Sequence, residues 1–224
     1  MKILFCNIAW MDYYKGITGK DKPKNGGSFV DEIGDAAEAY NFDPVFLTDS
    51  NGEELGKYCL GFVETKWGNG KDHNQLRFEN ICGCEDLENE DSVDDVLVVF
   101  CAKFPYASTN ETYIVGWYNH ATVYRYCQEF EFAAEGEDEP YIQLSFMLAK
   151  AEDCVLMPTA ARRNFEKWRV PRKKNGISYG FGQANVWYAR DREENKALDD
   201  FLNKIVKNIE EYNGENWVYK NPDE

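Results

Sequence analysis

The stretch that decides the fold is 95–126, DVLVVFCAKFPYASTNETYIVGWYNHATVYRY. Its two ends, 95–103 and 112–126, are rich in the β-branched and aromatic residues that are typical of half-buried or buried strands. Between them, 105–111 (PYASTNE) is a short polar connection. We therefore predict that 95–103 and 112–126 pair as an antiparallel hairpin at the centre of the protein.

Other apolar runs predict the rest of a β-rich core and one long helix. Further strands are expected at 2–9, 58–64 and 141–149. Near the C-terminus, apolar residues recur at steps of three and four, which predicts one buried face of a helix over about 193–212. These residues are Leu198, Phe201, Leu202, Ile205 and Ile209. We expect this helix to cover the sheet, with Asp191 as its N-cap and Gly214 just beyond its end.

Length and composition predict one folded, acidic α+β domain. The chain has 224 residues, of which 43% are hydrophobic and 15% aromatic, well above the content of disordered chains. We expect a single domain over 1–224, with a β-rich core at about 1–190 followed by the helix. Asn7 and Asp12 interrupt the N-terminal apolar run, and the seven cysteines are odd in number. A cytoplasmic protein is predicted, with no membrane contact, metal or cofactor.

Charge is distributed unevenly along a chain whose formal net charge is −15. The runs 85–95 and 129–139 carry seven and six acids, and we expect such an acidic surface to suit a protein partner. Between 162 and 174, seven Lys or Arg stand against the single acid Glu166. We predict that this basic segment contacts phosphates, the alternative being a loop that neutralises the acidic runs. The predicted phosphate-binding residues are Arg162, Arg163, Lys167, Arg172 and Lys173.

Three segments each place an Asn within three residues of a Trp. A site for a planar base needs this combination, because indole faces stack on the ring while amides match donors and acceptors on its edge. The predicted base-binding residues are Trp10, Trp117, Trp187, Asn7, Asn119, Asn185 and Tyr118. We expect them to meet in one aromatic pocket at an edge of the sheet. The alternative is that they are ordinary core aromatics.

The central hairpin resembles a known superfamily. The run 93–103 (VDDVLVVFCAK), followed by a polar loop and then 112–124 (TYIVGWYNHATVY), resembles the core of PUA-like domains, the superfamily that includes the ASCH, EVE and YTH modules. This resemblance implies a barrel-like domain with flanking helices. The chain also resembles an uncharacterised bacterial domain family that opens with a similar MKILFCNIAW strand.

A second segment resembles the YTH modules in particular. Residues 185–187 (NVW), followed by 195–199 (NKALD) and Phe201, are similar to the YTH segment in which an Asn-apolar-Trp strand precedes an Asn-Lys-x-Leu-Asp helix. In that family the Trp lines the cage for a methylated base, and the resemblance gives this role to Trp187. We therefore expect a binding module that reads a modified nucleobase without chemical turnover. By analogy, prokaryotic defence would be a suitable setting.

Three other functions remain open. Glu64-Thr65-Lys66 ends an apolar run with Asp49 upstream, which resembles the PD-(D/E)xK nucleases. In such a site the acids hold a divalent ion and the Lys helps to activate water, so Asp49, Glu64 and Lys66 would be catalytic. An acidic protein-interaction module and a sensor of a nucleotide or other small molecule are the remaining alternatives.

Overall fold

The computed structural model describes residues 1–25, 37–65, 75–106, 111–133, 140–173 and 176–222. Within them the protein is a mixed α/β structure, mostly strand, with one nine-stranded sheet and three α-helices. The strands are β1 (Lys2–Ile8), β2 (Val45–Thr48), β3 (Glu54–Gly61), β4 (Ser92–Lys103), β5 (Thr112–Phe132), β6 (Tyr141–Lys150), β7 (Cys154–Leu156), β8 (Arg169–Val170) and β9 (Val186–Trp187). The helices are α1 (Thr159–Arg162), α2 (Phe165–Trp168) and α3 (Lys196–Glu210). No helix in this described part of the chain has the length and apolar character needed to cross a membrane.

The sheet follows the order β2-β3-β6-β5-β4-β1-β9. Strands β1 and β4 are parallel, and the other neighbours on this path are antiparallel. Two short strands, β7 and β8, pair with the first half of β5, while β6 pairs with its second half. Over the described residues the path runs from β2 to β9 without closing, so the sheet is open.

The predicted central hairpin is confirmed. Strands β4 and β5 pair antiparallel from Ser92↔Tyr124 to Lys103↔Thr112. Strand β4 begins three residues before the predicted start at 95, inside the acidic run, because Asp94 and Asp95 are both exposed where its pairing with β5 shifts register between Val93 and Val96. Strand β5 continues six residues past the predicted end at 126 and is 21 residues long. It therefore pairs with four other strands, β4, β6, β7 and β8.

Side-chain alternation divides the core into two layers, one on each face of the sheet. Along β4, successive residues from Val96 to Ala102 enter the two layers in turn, as the two-residue period of a strand requires. One layer packs against α3 and is called here the α3 face. The other packs under the segments that follow β1 and β3 and is called the opposite face.

The predicted C-terminal helix is confirmed as α3. Leu198, Leu202, Ile205 and Ile209 are all buried against β1, β4 and β5. The predicted N-cap is wrong, because the side chain of Asn195, and not that of Asp191, accepts a hydrogen bond from the backbone N–H of Leu198 at 3.1 Å. A side-chain oxygen at this position satisfies a backbone donor that the first turn of a helix leaves unpaired.

A carboxyl group is buried on the opposite face. Glu38, in a 3₁₀-helix over Ala37–Tyr40, accepts a hydrogen bond from the backbone N–H of Ala9. The pKa of Glu38 is raised to about 7, mainly by burial; the hydrogen bond from Ala9 opposes this shift and the charge of Glu64 adds to it. The folded protein therefore holds a proton on Glu38 at pH values where the unfolded chain has lost it.

This shift predicts that stability falls as pH rises. Between the ordinary carboxyl pKa of 4.5 and the folded value of about 7, the native state binds more protons than the unfolded state. The stabilising contribution is complete below this window and lost above it. Replacing Glu38→Gln keeps the oxygen that accepts from Ala9 and removes the titration. We expect the variant to gain roughly 3 kcal/mol relative to the parent between about pH 5 and about pH 8.

Urea unfolding at several pH values measures this difference, since each curve gives a free energy of unfolding. A difference in the free energy of unfolding between parent and variant that stays constant from about pH 5 to about pH 8 would contradict the assignment of a raised pKa to Glu38.

Candidate functional site

The three tryptophans of the predicted aromatic pocket do not share a cavity. Trp10 belongs to the core layer of the opposite face, whereas Trp117 and Trp187 belong to the layer on the α3 face. Trp10 continues the alternation of Cys6 and Ile8 beyond β1, while Trp187 lies directly opposite Phe5 on the neighbouring strand. The sheet therefore separates Trp10 from the other two indoles, and the prediction of one shared pocket is wrong.

Trp117 and Tyr118 are core residues with protein neighbours on all sides. The ring of Trp117 stacks on Trp168, with centroids 5.8 Å apart, and meets Tyr212 edge to face at 5.3 Å. Tyr118 points to the opposite face and donates its hydroxyl hydrogen bond to the backbone oxygen of Asn41. Burial raises its pKa well above the ordinary value. Neither residue has a free ring face for a base.

Two of the three predicted amides meet. The side chain of Asn7 donates to Oδ1 of Asn185 at 3.4 Å and accepts from Nη2 of Arg172 at 3.3 Å. Asn119 lies elsewhere, because the residue of β5 in register with Asn7 through β4 is Ile114. Five residues of strand separate Ile114 from Asn119, about 17 Å at 3.4 Å per residue. The three amides therefore cannot read one base together.

Burial divides the predicted phosphate-binding residues. Arg163, Lys167 and Lys173 are exposed, and Arg172 is half-buried against Asn7 and Thr112. Arg162 is fully buried, so its prediction as a phosphate ligand is wrong. A run of like charges does not show which member turns inward, since that depends on how α1 packs on the segment after β1.

Arg162 instead joins distant parts of the backbone. Its guanidinium donates to the carbonyl oxygens of Met157 at 2.7 Å and of Met11 and Asp12 at 2.6 Å. It also lies over the ring of Trp10, 5.4 Å from the centroid. Three carbonyl groups from two segments are thus satisfied by one cation.

Replacing Arg162→Met should destabilise the fold strongly. The substitution leaves buried carbonyl oxygens without donors, at a cost of about 1–3 kcal/mol for each one that water cannot reach. We expect a loss of about 3–5 kcal/mol in the free energy of unfolding, measured by urea titration. The exposed neighbour provides the control, since Arg163→Met should change stability by no more than about 0.5 kcal/mol. Equal effects of the two substitutions would contradict this role for Arg162.

The residues of the alternative nuclease site are far apart where the structure describes them. Asp49 caps the turn between β2 and β3, with its Oδ1 accepting from the backbone N–H groups of Asn51 and Glu53. Glu64 follows the other end of β3, about 25 Å away along an eight-residue strand. Lys66 lies outside the described residues. Across those that are described, no three His, Cys, Asp or Glu side chains are grouped so as to hold a metal ion.

The buried cysteines have little nucleophilic character. Burial raises the pKa of Cys6, and it raises the pKa of Cys101 well above the ordinary value. The raised pKa keeps these thiols protonated at neutral pH, whereas the reactive form is the thiolate.

The acidic run 85–95 is mostly exposed, and the role of the acidic surface in binding a protein partner stays a prediction.

A cavity lies beside Trp187 and is called here the Trp187 cavity. Its volume is about 450 Å³, within the range of pockets that bind small ligands. It lies between α3, the segment 178–182 and the residues that follow β9. Its polar and aromatic lining includes Arg77, Asn80, Lys173, Ser178, Tyr179, Trp187, Tyr188, Arg190, Asp191 and Asn195.

The Trp187 cavity is basic although the protein is acidic. Arg77, Lys173 and Arg190 line it together with one acid, Asp191. None of these three cations forms an ion pair with a carboxylate within the described chain. Arg190 donates to the side-chain oxygen of Asn80 at 3.0 Å, which leaves its charge uncompensated. The cavity therefore offers positive charge to a ligand.

Local backbone geometry holds the walls of the cavity in place. Gly180 has φ +110°, and a Cβ there would lie 2.1 Å from the carbonyl oxygen of Pro171, so only glycine fits. Asn195 caps α3 with its oxygen and donates from its nitrogen to the hydroxyl of Ser178 at 3.0 Å. The hydroxyl of Tyr188 accepts from the backbone N–H of Arg77 at 2.8 Å.

Trp187 itself forms part of the cavity floor. Only 9% of its surface is exposed, and Phe5 stacks on it with centroids 4.6 Å apart. A ligand can therefore touch its edge but cannot cover its face. The half-buried rings of Tyr179 and Tyr188 are the other aromatic surfaces of the cavity.

Several lining residues were not predicted from the sequence. Asn195 belongs to a segment that resembles the YTH modules, but its place in the wall of the cavity was not predicted. Arg77 is far away in the sequence and no local pattern marks it. Arg190 could have been indicated by its position in the sequence, since it follows the aromatic residues Trp187 and Tyr188 by three and two positions. The unpredicted residues are Arg77, Asn80, Ser178, Tyr179, Tyr188, Arg190, Asp191 and Asn195.

Comparisons of the chain with protein-family models, with curated proteins and with solved structures find no match. The function must therefore be argued from the site.

Proposed function

We propose that the protein is a PUA-like binding module that recognises a modified nucleobase within a phosphate-bearing ligand, at the Trp187 cavity and without chemical turnover. The observation that carries the proposal is the concentration of three cations, Arg77, Lys173 and Arg190, around one aromatic-lined cavity. None of the three forms an ion pair within the described residues. The chain as a whole has a net charge of −15. A cavity of this sign on such a protein favours an anionic ligand.

The lining supports a planar ligand with polar edges. Tyr179 and Tyr188 offer ring surface for stacking, and the amides of Asn80 and Asn195 can match donors and acceptors on a base. A methyl group on the base would lose water and gain dispersion contacts at the edge of Trp187. In this proposal Arg77, Lys173 and Arg190 contact the phosphate.

The sequence resemblance and the cavity involve the same residues. Val186, Trp187, Asn195 and Leu198 belong to the two segments that resemble the YTH modules, and all four line the cavity. Strand β5 supports the barrel-like part of the proposal, because it pairs with β4 along one edge and with β8, β7 and β6 in turn along the other. Register shifts along β5 provide the bends that such a barrel requires.

Titration calorimetry with nucleoside 5′-monophosphates, with and without a methyl group on the base, tests the proposal. We expect saturable binding that is tighter for a methylated base. Reversing one cation, Lys173→Glu or Arg190→Glu, should weaken binding roughly 10- to 100-fold, because each charge-assisted hydrogen bond contributes about 1.5–3 kcal/mol.

The matched control is Arg163→Glu. Arg163 is an exposed cation of the same basic segment, but it lies over Phe104 and does not line the cavity. This control should retain the affinity of the parent. The proposal fails if no monophosphate binds, or if Arg163→Glu weakens binding as much as Lys173→Glu.

A further inference from the structure

Three cavities lie in a row along one side of α3. The Trp187 cavity contacts the start of the helix at Asn195 and Leu198. A second cavity, of about 320 Å³, contacts its middle at Phe201, Lys204 and Ile205. A third, of about 310 Å³, lies at its end and is lined by Asn208, Glu211 and Tyr212. The α3 residues that line the three cavities are spaced three or four positions apart. These residues therefore form one continuous stripe on the helix.

Neighbouring cavities share a wall residue. Tyr179 lines both the Trp187 cavity and the second cavity, and Lys167 lines both the second cavity and the third. This row of three adjoining cavities is called here the α3 groove. Its other bank is formed by described residues between Ala160 and Gly182, among them Lys167, Arg169 and Lys173 of the basic segment.

The α3 groove is positively charged along most of its length. Three acids line it, Glu166, Asp191 and Glu211, against six cations. The cations are Arg77, Lys167, Arg169, Lys173, Lys204 and Arg190. Of these only Arg169 forms an ion pair within the described residues, with Glu111. A polyanion is the ligand that this extended charge fits.

Aromatic rings occur along the same groove. Phe165 is 52% exposed at the second cavity, with the guanidinium of Arg169 lying 4.7 Å from its ring centroid on one face. Tyr179 and Phe201 form a tilted pair, with centroids 5.6 Å apart, between the first and second cavities. Rings alternating with cations are the arrangement that binds unpaired bases and their backbone phosphates.

We propose that a single-stranded nucleic acid lies in the α3 groove, with one base in the Trp187 cavity and the adjoining nucleotides in the second cavity. This inference rests on the proposed function and names its ligand as a strand and not a free nucleotide. Phe165 stacks on a neighbouring base, and Lys204 contacts the phosphate that follows the bound nucleotide. A duplex does not fit, because its bases are paired and cannot enter separate cavities.

The length of the helix sets the length of the strand. Fifteen residues of α3 span about 22 Å at 1.5 Å per residue. Stacked nucleotides advance about 3.4 Å each along a strand, so the groove holds about six, and fewer when the strand is extended. Affinity should therefore rise with length and stop rising at about six nucleotides.

Fluorescence anisotropy competition with single-stranded oligonucleotides of one, two, four, six and ten nucleotides tests the inference. We expect the six-nucleotide strand to bind at least about tenfold more tightly than the mononucleotide, since stacking contributes about 1–3 kcal/mol per base. Lys204→Glu and Phe165→Ala should each weaken binding of the six-nucleotide strand at least about fivefold. Neither residue lines the Trp187 cavity, so mononucleotide binding should not change.

The control is Lys150→Glu, which makes the same charge change at an exposed position of β6 that lines none of the three cavities. It should leave binding of the six-nucleotide strand at the parent value. Melting temperatures of all variants show whether they are folded.

The possible outcomes separate the two proposals. A mononucleotide that binds as tightly as the longer strands would overturn the groove and leave the proposed function standing, as a nucleotide sensor. Length-dependent binding that Lys204→Glu and Lys150→Glu weaken equally would also overturn the groove. If neither mononucleotide nor strand binds, the proposed function fails. A duplex that binds more tightly than the single strand of equal length would exclude the strand as ligand.

Discussion

The distribution of large side chains over both faces of the central strands is the constraint on which the rest of the structure depends. Strand β5 has neighbours on both edges, and its adjacent residues Trp117 and Tyr118 point to opposite faces. Each face therefore carries large aromatic rings that must be covered. Helix α3 covers one face, and the segments after β1 and β3 cover the other. Arg162 holds the segment after β1 in place by donating to the carbonyl oxygens of Met11 and Asp12.

The packing of α3 on the sheet explains why the cavities of the α3 groove lie beside this helix. One stripe of the helix packs on β1, β4 and β5, and an adjacent stripe faces the chain between 160 and 182. This stretch holds two four-residue helices and a glycine turn at Gly180, so it cannot pack on α3 as evenly as a second long helix would. Cavities remain between them, and the cations of the basic segment line these cavities.

The position of the positive charge reconciles an acidic protein with an anionic ligand. A net charge of −15 repels phosphate at long range, but at physiological ionic strength that repulsion is screened beyond about 8 Å. At contact distance a phosphate in the Trp187 cavity would meet Arg77, Lys173 and Arg190, none of which forms an ion pair within the part of the chain that the structure describes. Under the proposed function, the acidic surface would restrict binding of an anionic ligand to this side of the protein.

The sequence by itself determined the central hairpin, the helix α3 and its buried face, because hydrophobic periodicity is a local property that one core must satisfy. It also marked Trp187 and Lys173, which line the cavity. Only the tertiary structure decided that Trp10 and Trp187 lie on opposite sides of the sheet, that Arg162 turns inward while Lys167 stays exposed, and that Arg77 reaches the Trp187 cavity. These facts depend on which strand pairs with which and on how the segments between them pack, and such contacts between distant residues leave no pattern in either segment alone.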